Sequence, residues 1–191
     1  MKQLVLSALA AFMSFAVAAE AATCPEAPDH SERMGQLLEA IQAAPDERTA
    51  RLITTEIWPL FTDAPDARAQ ELLNHGIERR EIYDFDGAMA AFEKLVAYCP
   101  AWAEGYNQRA FINFLRNDYE AAVPDLERAL ALAPDHFAAR SGLGLSLLGL
   151  GRVEEAVVAI RGALDLNPWL PEAQLLPGLE AAQDAPEGDE L

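Results

Sequence analysis

Pro100, Pro134 and Pro168 stand 34 residues apart, and four further columns keep the same step. Small residues recur at Gly76, Ala110 and Gly144, and again at Ala88, Ala122 and Ala156. Bulky apolar residues recur at Phe92, Leu126 and Ile160, followed by Leu95, Ala129 and Ala163. Such a period means one supersecondary unit used three times, because stacked units bury an apolar face that a single unit cannot. The columns have a mechanical reading. A residue without bulk lets two helices approach closely, and its bulky partner fills the space between units. Proline cannot continue a helix, so it ends the second helix of each unit. Turn signals split each unit at "YDFDGA", "RNDYEA" and "LGRVEEA", with Asp84 and Asp118 placed to cap the second helices. Pro124 lies beyond the first turn of its helix, where it removes a hydrogen bond or bends the axis.

This pattern resembles the tetratricopeptide repeat family over residues 69–170, in units 69–102, 103–136 and 137–170. The family's small eighth residue falls on Gly76, Ala110 and Gly144, and its twentieth-position alanine on Ala88, Ala122 and Ala156. The usual aromatic at position four is Leu72, Tyr106 and Arg140. The usual apolar seventh residue is His75, Arg109 and Leu143, and the eleventh-position aromatic is Arg79, Asn113 and Leu147. These departures put the packing of the first helices in question. The resemblance implies an all-α chain, a right-handed superhelical stack of antiparallel helix pairs. Residues 31–66 carry helical periodicity in two pieces divided at Pro45-Asp46. They read as a divergent helical hairpin, a fourth unit at the N-terminal end, with Trp58 in the bulky column and Asp66 in the proline position. Residues 171–183 read as a capping helix, and 184–191 as a disordered acidic tail.

Residues 1–21 have the layout of a signal peptide: Lys2, a short apolar run, and a small-residue exit at Ala19-Glu20-Ala21. The run is short of the roughly 20 apolar residues that a spanning helix needs. Cleavage leaves a segment 22–30 ahead of the first helix and no membrane insertion. The expectation is export, to the periplasm of a Gram-negative bacterium. Cys24 and Cys99 are the two cysteines. An oxidising compartment favours a disulfide between them over two unpaired thiols. It would close a loop of about 75 residues, worth roughly 4 kcal/mol by chain-entropy reasoning. The net charge of −17 repels phosphate backbones and anionic lipid, so nucleic acid is not an expected partner.

In a stack of helix pairs the first helices line the concave side. On "YNQRAFINFL" each residue advances about 100°, which puts Asn107, Phe111 and Phe114 near one line facing the groove. The equivalent positions are Leu73, Ile77 and Arg80 in the first unit, and Ser141, Leu145 and Leu148 in the third. Two readings stay open. Either the chain's own ends cover this apolar floor and the phenylalanines are core, or a partner segment docks there. The family's carboxylate-gripping lysines are absent here, and Leu73, Ile77 and Asn107 stand in their neighbourhood.

Chemistry needs a nucleophile, a base and an orienter brought together. His30, His75 and His136 are scattered one per region. His136 reads as a solvated helix start, and His75 as packed beside Gly76. "GLGLSLLG" lacks the third glycine of a nucleotide loop, and no strand precedes it. No metal-ligand or cofactor motif appears, so no metal, cofactor or catalytic residue is expected. The function that follows is non-enzymatic protein or peptide binding. The rival is a structural, self-associating scaffold of an envelope assembly.

Overall fold

The computed structural model describes residues 23–183. The expected signal peptide 1–21 and the acidic tail 184–191 lie outside the described residues. Six helices form three successive hairpins: α3 (Ala67–Glu81) with α4 (Phe85–Tyr98), α5 (Ala103–Leu115) with α6 (Tyr119–Leu132), and α7 (Phe137–Gly149) with α8 (Val153–Leu166). Ahead of them lie α1 (Ser31–Gln42) and α2 (Glu47–Thr62). A 3-10 turn at Pro171–Gln174 and α9 (Leu176–Gln183) follow. All regular structure among the described residues is helical.

The local chemistry explains where helices begin and end. Asp46, Asp66, Asp84 and Asp118 each accept the backbone N–H three residues on, at 2.8, 2.8, 3.0 and 3.2 Å, satisfying one orphan donor of the helix that follows. The turns inside the hairpins place Tyr83, Asn117 and Gly151 at positive φ (62°, 59° and 72°), again 34 residues apart. Glycine and asparagine tolerate that conformation, and a bulky tyrosine strains in it. Helix α6 runs through Pro124 rather than stopping there. The end segment differs from a single capping helix. Pro171 opens a 3-10 turn, and the α-helix starts afresh around Pro177, whose missing N–H costs nothing in a first turn.

The small columns are steric necessities. A Cβ on Gly76 would stand 2.3 Å from the Phe92 ring, and one on Gly144 would stand 2.5 Å from Ile160 Cγ1. Ala88, Phe92, Leu95, Ala110, Ala122, Ala129, Ala156, Ile160 and Ala163 are all buried. Arg109, an oddity in an apolar column, donates from Nε and Nη2 to both Asp125 oxygens at 2.7 and 2.6 Å. That bidentate pair joins α5 to α6 where two apolar side chains would otherwise meet, and the Asp125 carboxylate pushes the Arg109 pKa up.

The N-terminal hairpin forms, but it is not a fourth unit stacked ahead of α3. Its core of Met34, Leu37, Leu38, Ile41, Ala50, Ile57 and Phe61 packs on Phe137, Leu166 and Trp169 of the third repeat. The reason lies in the columns. Gln42 and Thr54 hold the places of Gly76 and Ala88, so the close approach of a standard unit is blocked. Gln42 instead donates to the Asp165 carbonyl at 3.0 Å, and the Trp169 indole donates to the Ile41 carbonyl at 3.1 Å. Cys24 and Cys99 are bonded, which ties the segment before α1 to the end of α4.

Candidate functional site

Helices α3, α5 and α7 present one face to a cavity of about 560 Å³. Ile77, Arg80, Asn107, Phe111, Phe114, Ser141 and Leu145 all line it. The periodicity that put these side chains on one face of each first helix is therefore the geometry that brings them together. Two expected members stand elsewhere. Leu73 is fully buried in the core between α3 and α4, one turn too deep to meet the cavity. Leu148 packs beside Val123, Leu147 and Ala156 toward the α6–α8 side.

The cavity is partly roofed, which merges the two readings left open by the sequence. Trp58 and Thr62 of α2 line its far wall. Phe111 still shows 41 % of its surface, and Trp58 40 %, so an apolar rim stays open to water. The rings of Phe111 and Phe114 lie nearly parallel with centroids 6.5 Å apart. The Arg80 guanidinium sits 5.1 Å above the Phe111 ring and donates to Gln108 Oε1. Burial pulls the Arg80 pKa down, while the Glu81 and Glu104 carboxylates oppose that shift. Among the described residues no carboxylate lies within ion-pair distance of Arg80.

Behind the cavity wall runs a polar chain that sequence reasoning missed. Glu104 is 1 % exposed and accepts from Asn107 Nδ2 at 3.0 Å and from Gln108 Nε2. His136 is equally buried, at 1 %, and shares a 2.9 Å hydrogen bond between its Nε2 and Glu104 Oε2. Its Nδ1 accepts the Ala139 N–H at 3.2 Å, capping α7. The proton is thus on Nε2 and points at the carboxylate. Phe61 of α2 stacks on the imidazole with centroids 3.8 Å apart. His136 is therefore a buried cap, not the solvated helix start its Asp135 neighbour suggested. The available signal was its column: Trp102 precedes it by one period and Leu170 follows by one, and both are apolar. His75 is exposed rather than packed beside Gly76.

With both ring nitrogens engaged, His136 has no free position for proton transfer to a substrate. Among the described residues no group of His, Cys, Asp and Glu is placed to hold a metal ion. No described helix is long and apolar enough to cross a membrane. What the arrangement offers is a concave surface with an apolar recess and one lining cation, Arg80. It belongs to the class of helical-repeat scaffolds.

Comparison with known proteins agrees with that class. A family model described as "Tetratricopeptide repeat" matches residues 116–169. A tetratricopeptide repeat-containing protein of Rhizobium etli is 28 % identical over 137 residues, covering 72 % of this chain and 67 % of that protein. The tetratricopeptide repeat protein 36 homolog of Nematostella vectensis is 42 % identical over 72 residues, covering 38 % of this chain and 40 % of the relative. Among solved structures, the first repeat domain of Spaghetti (RPAP3) bound to an HSP90 peptide superposes with a TM-score of 0.60. It is 24 % identical and covers 62 % of this chain and 94 % of that one. Together these matches support the tetratricopeptide repeat family for this chain, and the fold is that of its solenoid domains.

Proposed function

We propose that this chain is a non-enzymatic, exported protein-binding module that works in the periplasm and presents its concave face to a peptide or protein partner. The observation that carries the reading is Phe111, an aromatic ring 41 % exposed at the lip of an apolar cavity beside a half-buried arginine. A large apolar side chain left in water on a curved surface marks an interaction site. The Spaghetti (RPAP3) domain, similar in fold, holds an HSP90 peptide, which supports a peptide-sized occupant for the same kind of surface. Phe111 and Phe114 act as anchors, and Arg80, Asn107 and Ser141 orient the ligand. An aromatic anchor in a desolvated pocket is worth about 2 kcal/mol or more, or roughly 30-fold in affinity.

Capture from periplasmic extract, with the mature protein beside a Phe111→Ala/Phe114→Ala variant, tests this. The expected result is a partner retained by the first and lost by the second while circular dichroism is unchanged. Equal retention removes the groove from the reaction. A sedimentation coefficient that rises with concentration and no added partner supports the self-associating scaffold instead. The N-terminal sequence of the secreted protein checks the export reading, which expects processing after Ala21.

A further inference from the structure

The α1–α2 hairpin is a strap fastened at both roots to neighbouring residues of one helix end. Cys24, which leads into it, is bonded to Cys99. Asp66, which leads out of it, accepts the Tyr98 hydroxyl at 2.6 Å. The strap's tip rests on the third repeat through the two hydrogen bonds from Gln42 and Trp169. Between root and tip, Phe61 is seated on His136, and Trp58 and Thr62 form one wall of the cavity. The ion pairs that involve the strap, His30–Asp63, Arg33–Glu56 and Arg51–Glu47, are all internal to it. Among the described residues none links it to the repeats. Apolar packing, the Phe61–His136 stack, edge contacts of Trp58 and Phe61 with Phe137, and two hydrogen bonds to backbone carbonyls hold it down. A contiguous hairpin held in this way is the kind of unit that local opening, below the cost of global unfolding, involves.

The concave face therefore already holds a helix, and that helix displays what the surface accepts. Trp58 and Phe61 stand at i and i+3, one aromatic face, with Thr62 next. We propose that α2 is a resident stand-in for the partner. The groove takes an amphipathic helix carrying aromatic residues at i and i+3, and the strap swings about its roots at Tyr98 and Cys99 to admit it. This rests on the groove being the docking site proposed above, and it names the occupant's chemistry. The net charge of −17 adds a preference for basic residues on the partner, a feature α2 does not itself display, since its exposed Arg48 and Arg51 are balanced by Glu47 and Glu56. Helix-in-groove recognition of this kind reads anchors at helical spacing.

A thiol placed under the strap reports its opening with no partner present. The described cysteines are both bonded, so Ser141→Cys introduces the sole free thiol. Its maleimide labelling is expected to be slow in the parent and at least tenfold faster with Phe61→Ala. The milder Trp169→Phe, which removes one tip hydrogen bond and keeps the ring, should give the same direction. Val157→Cys, buried in α8, labels only on global unfolding and should change less than twofold. If Ser141→Cys tracks Val157→Cys in every background, the strap does not open separately and the proposal fails.

A synthetic peptide of residues 46–63 then probes the vacated surface. It should bind the Trp58→Ala/Phe61→Ala full-length chain at least tenfold more tightly than the parent, whose own α2 competes. A scrambled peptide of equal composition should bind neither. Equal binding by both chains, or by the scramble, overturns the helical-partner assignment. Neither readout uses a cellular partner, so each outcome stands apart from the capture experiment.

Discussion

Replacing Glu104 with alanine should destabilise the fold more than almost any other single truncation of a polar group here. The carboxylate lies 0 % exposed at the centre of the polar chain. It accepts from His136 Nε2, Asn107 Nδ2 and Gln108 Nε2. His136, Asn107 and Gln108 are themselves at most 8 % exposed. Truncation strands three buried donors at once. A buried donor left unsatisfied costs about 1–3 kcal/mol, and water entering the void recovers part of that. A net loss of about 4 kcal/mol follows, a large share of the 5–15 kcal/mol typical of a whole domain. For a chain of this size that is a fall in Tm of about 10 °C. Urea unfolding followed by circular dichroism measures it as a lower midpoint with an unchanged slope. Pairing Glu104→Ala with His136→Ala should show strong coupling, since the second loss has already been incurred in the first. A cost below about 1 kcal/mol, or strict additivity of the pair, would refute the assigned network.

Three further outcomes are expected. Gly144→Ala drives a methyl to 2.5 Å from Ile160 and should cost about 1–3 kcal/mol, whereas Gly35→Ala meets nothing within 4 Å in α1 and should gain about 0.5–1 kcal/mol, both read by chemical denaturation. Tyr83→Gly relieves a left-handed tyrosine that is 82 % exposed, and thermal melting should show a gain of about 1 kcal/mol. Hydrogen bonds from Tyr98 and from the Ala69 N–H hold Asp66 below its ordinary value of 3.8. A depressed carboxylate stabilises the fold above the unfolded value and loses that contribution as pH falls through the folded one. Tyr98→Phe should therefore flatten the acid limb of a stability-against-pH profile and leave its neutral region nearly unchanged in shape.

Repeat number, hairpin order, helix ends and the groove-facing positions of α5 were legible in the chain because they depend on near neighbours. A proline stops its own helix, an aspartate caps three residues ahead, and a 100° step decides which side chains share a face. The same logic reached the small columns, since a small residue facing a bulky apolar one a helix away recurs with the unit. The pairing of Cys24 with Cys99 was legible in another way, from compartment chemistry and from there being two candidates.

Only the tertiary structure decided where α1 and α2 come to rest. Their seating depends on contacts such as Trp169 with Ile41 and Gln42 with Asp165, more than a hundred residues apart, which leave no periodic trace. Nor does local sequence separate a solvated His136 from a buried one. Its burial follows from Phe61 arriving from a distant helix and Glu104 from the start of α5, 32 residues earlier in the chain. Stacking propagates by nearest-neighbour columns, so a repeat in the sequence encodes it. Closure of the stack's open face has no period, and only the three-dimensional meeting of non-repeating surfaces could determine it.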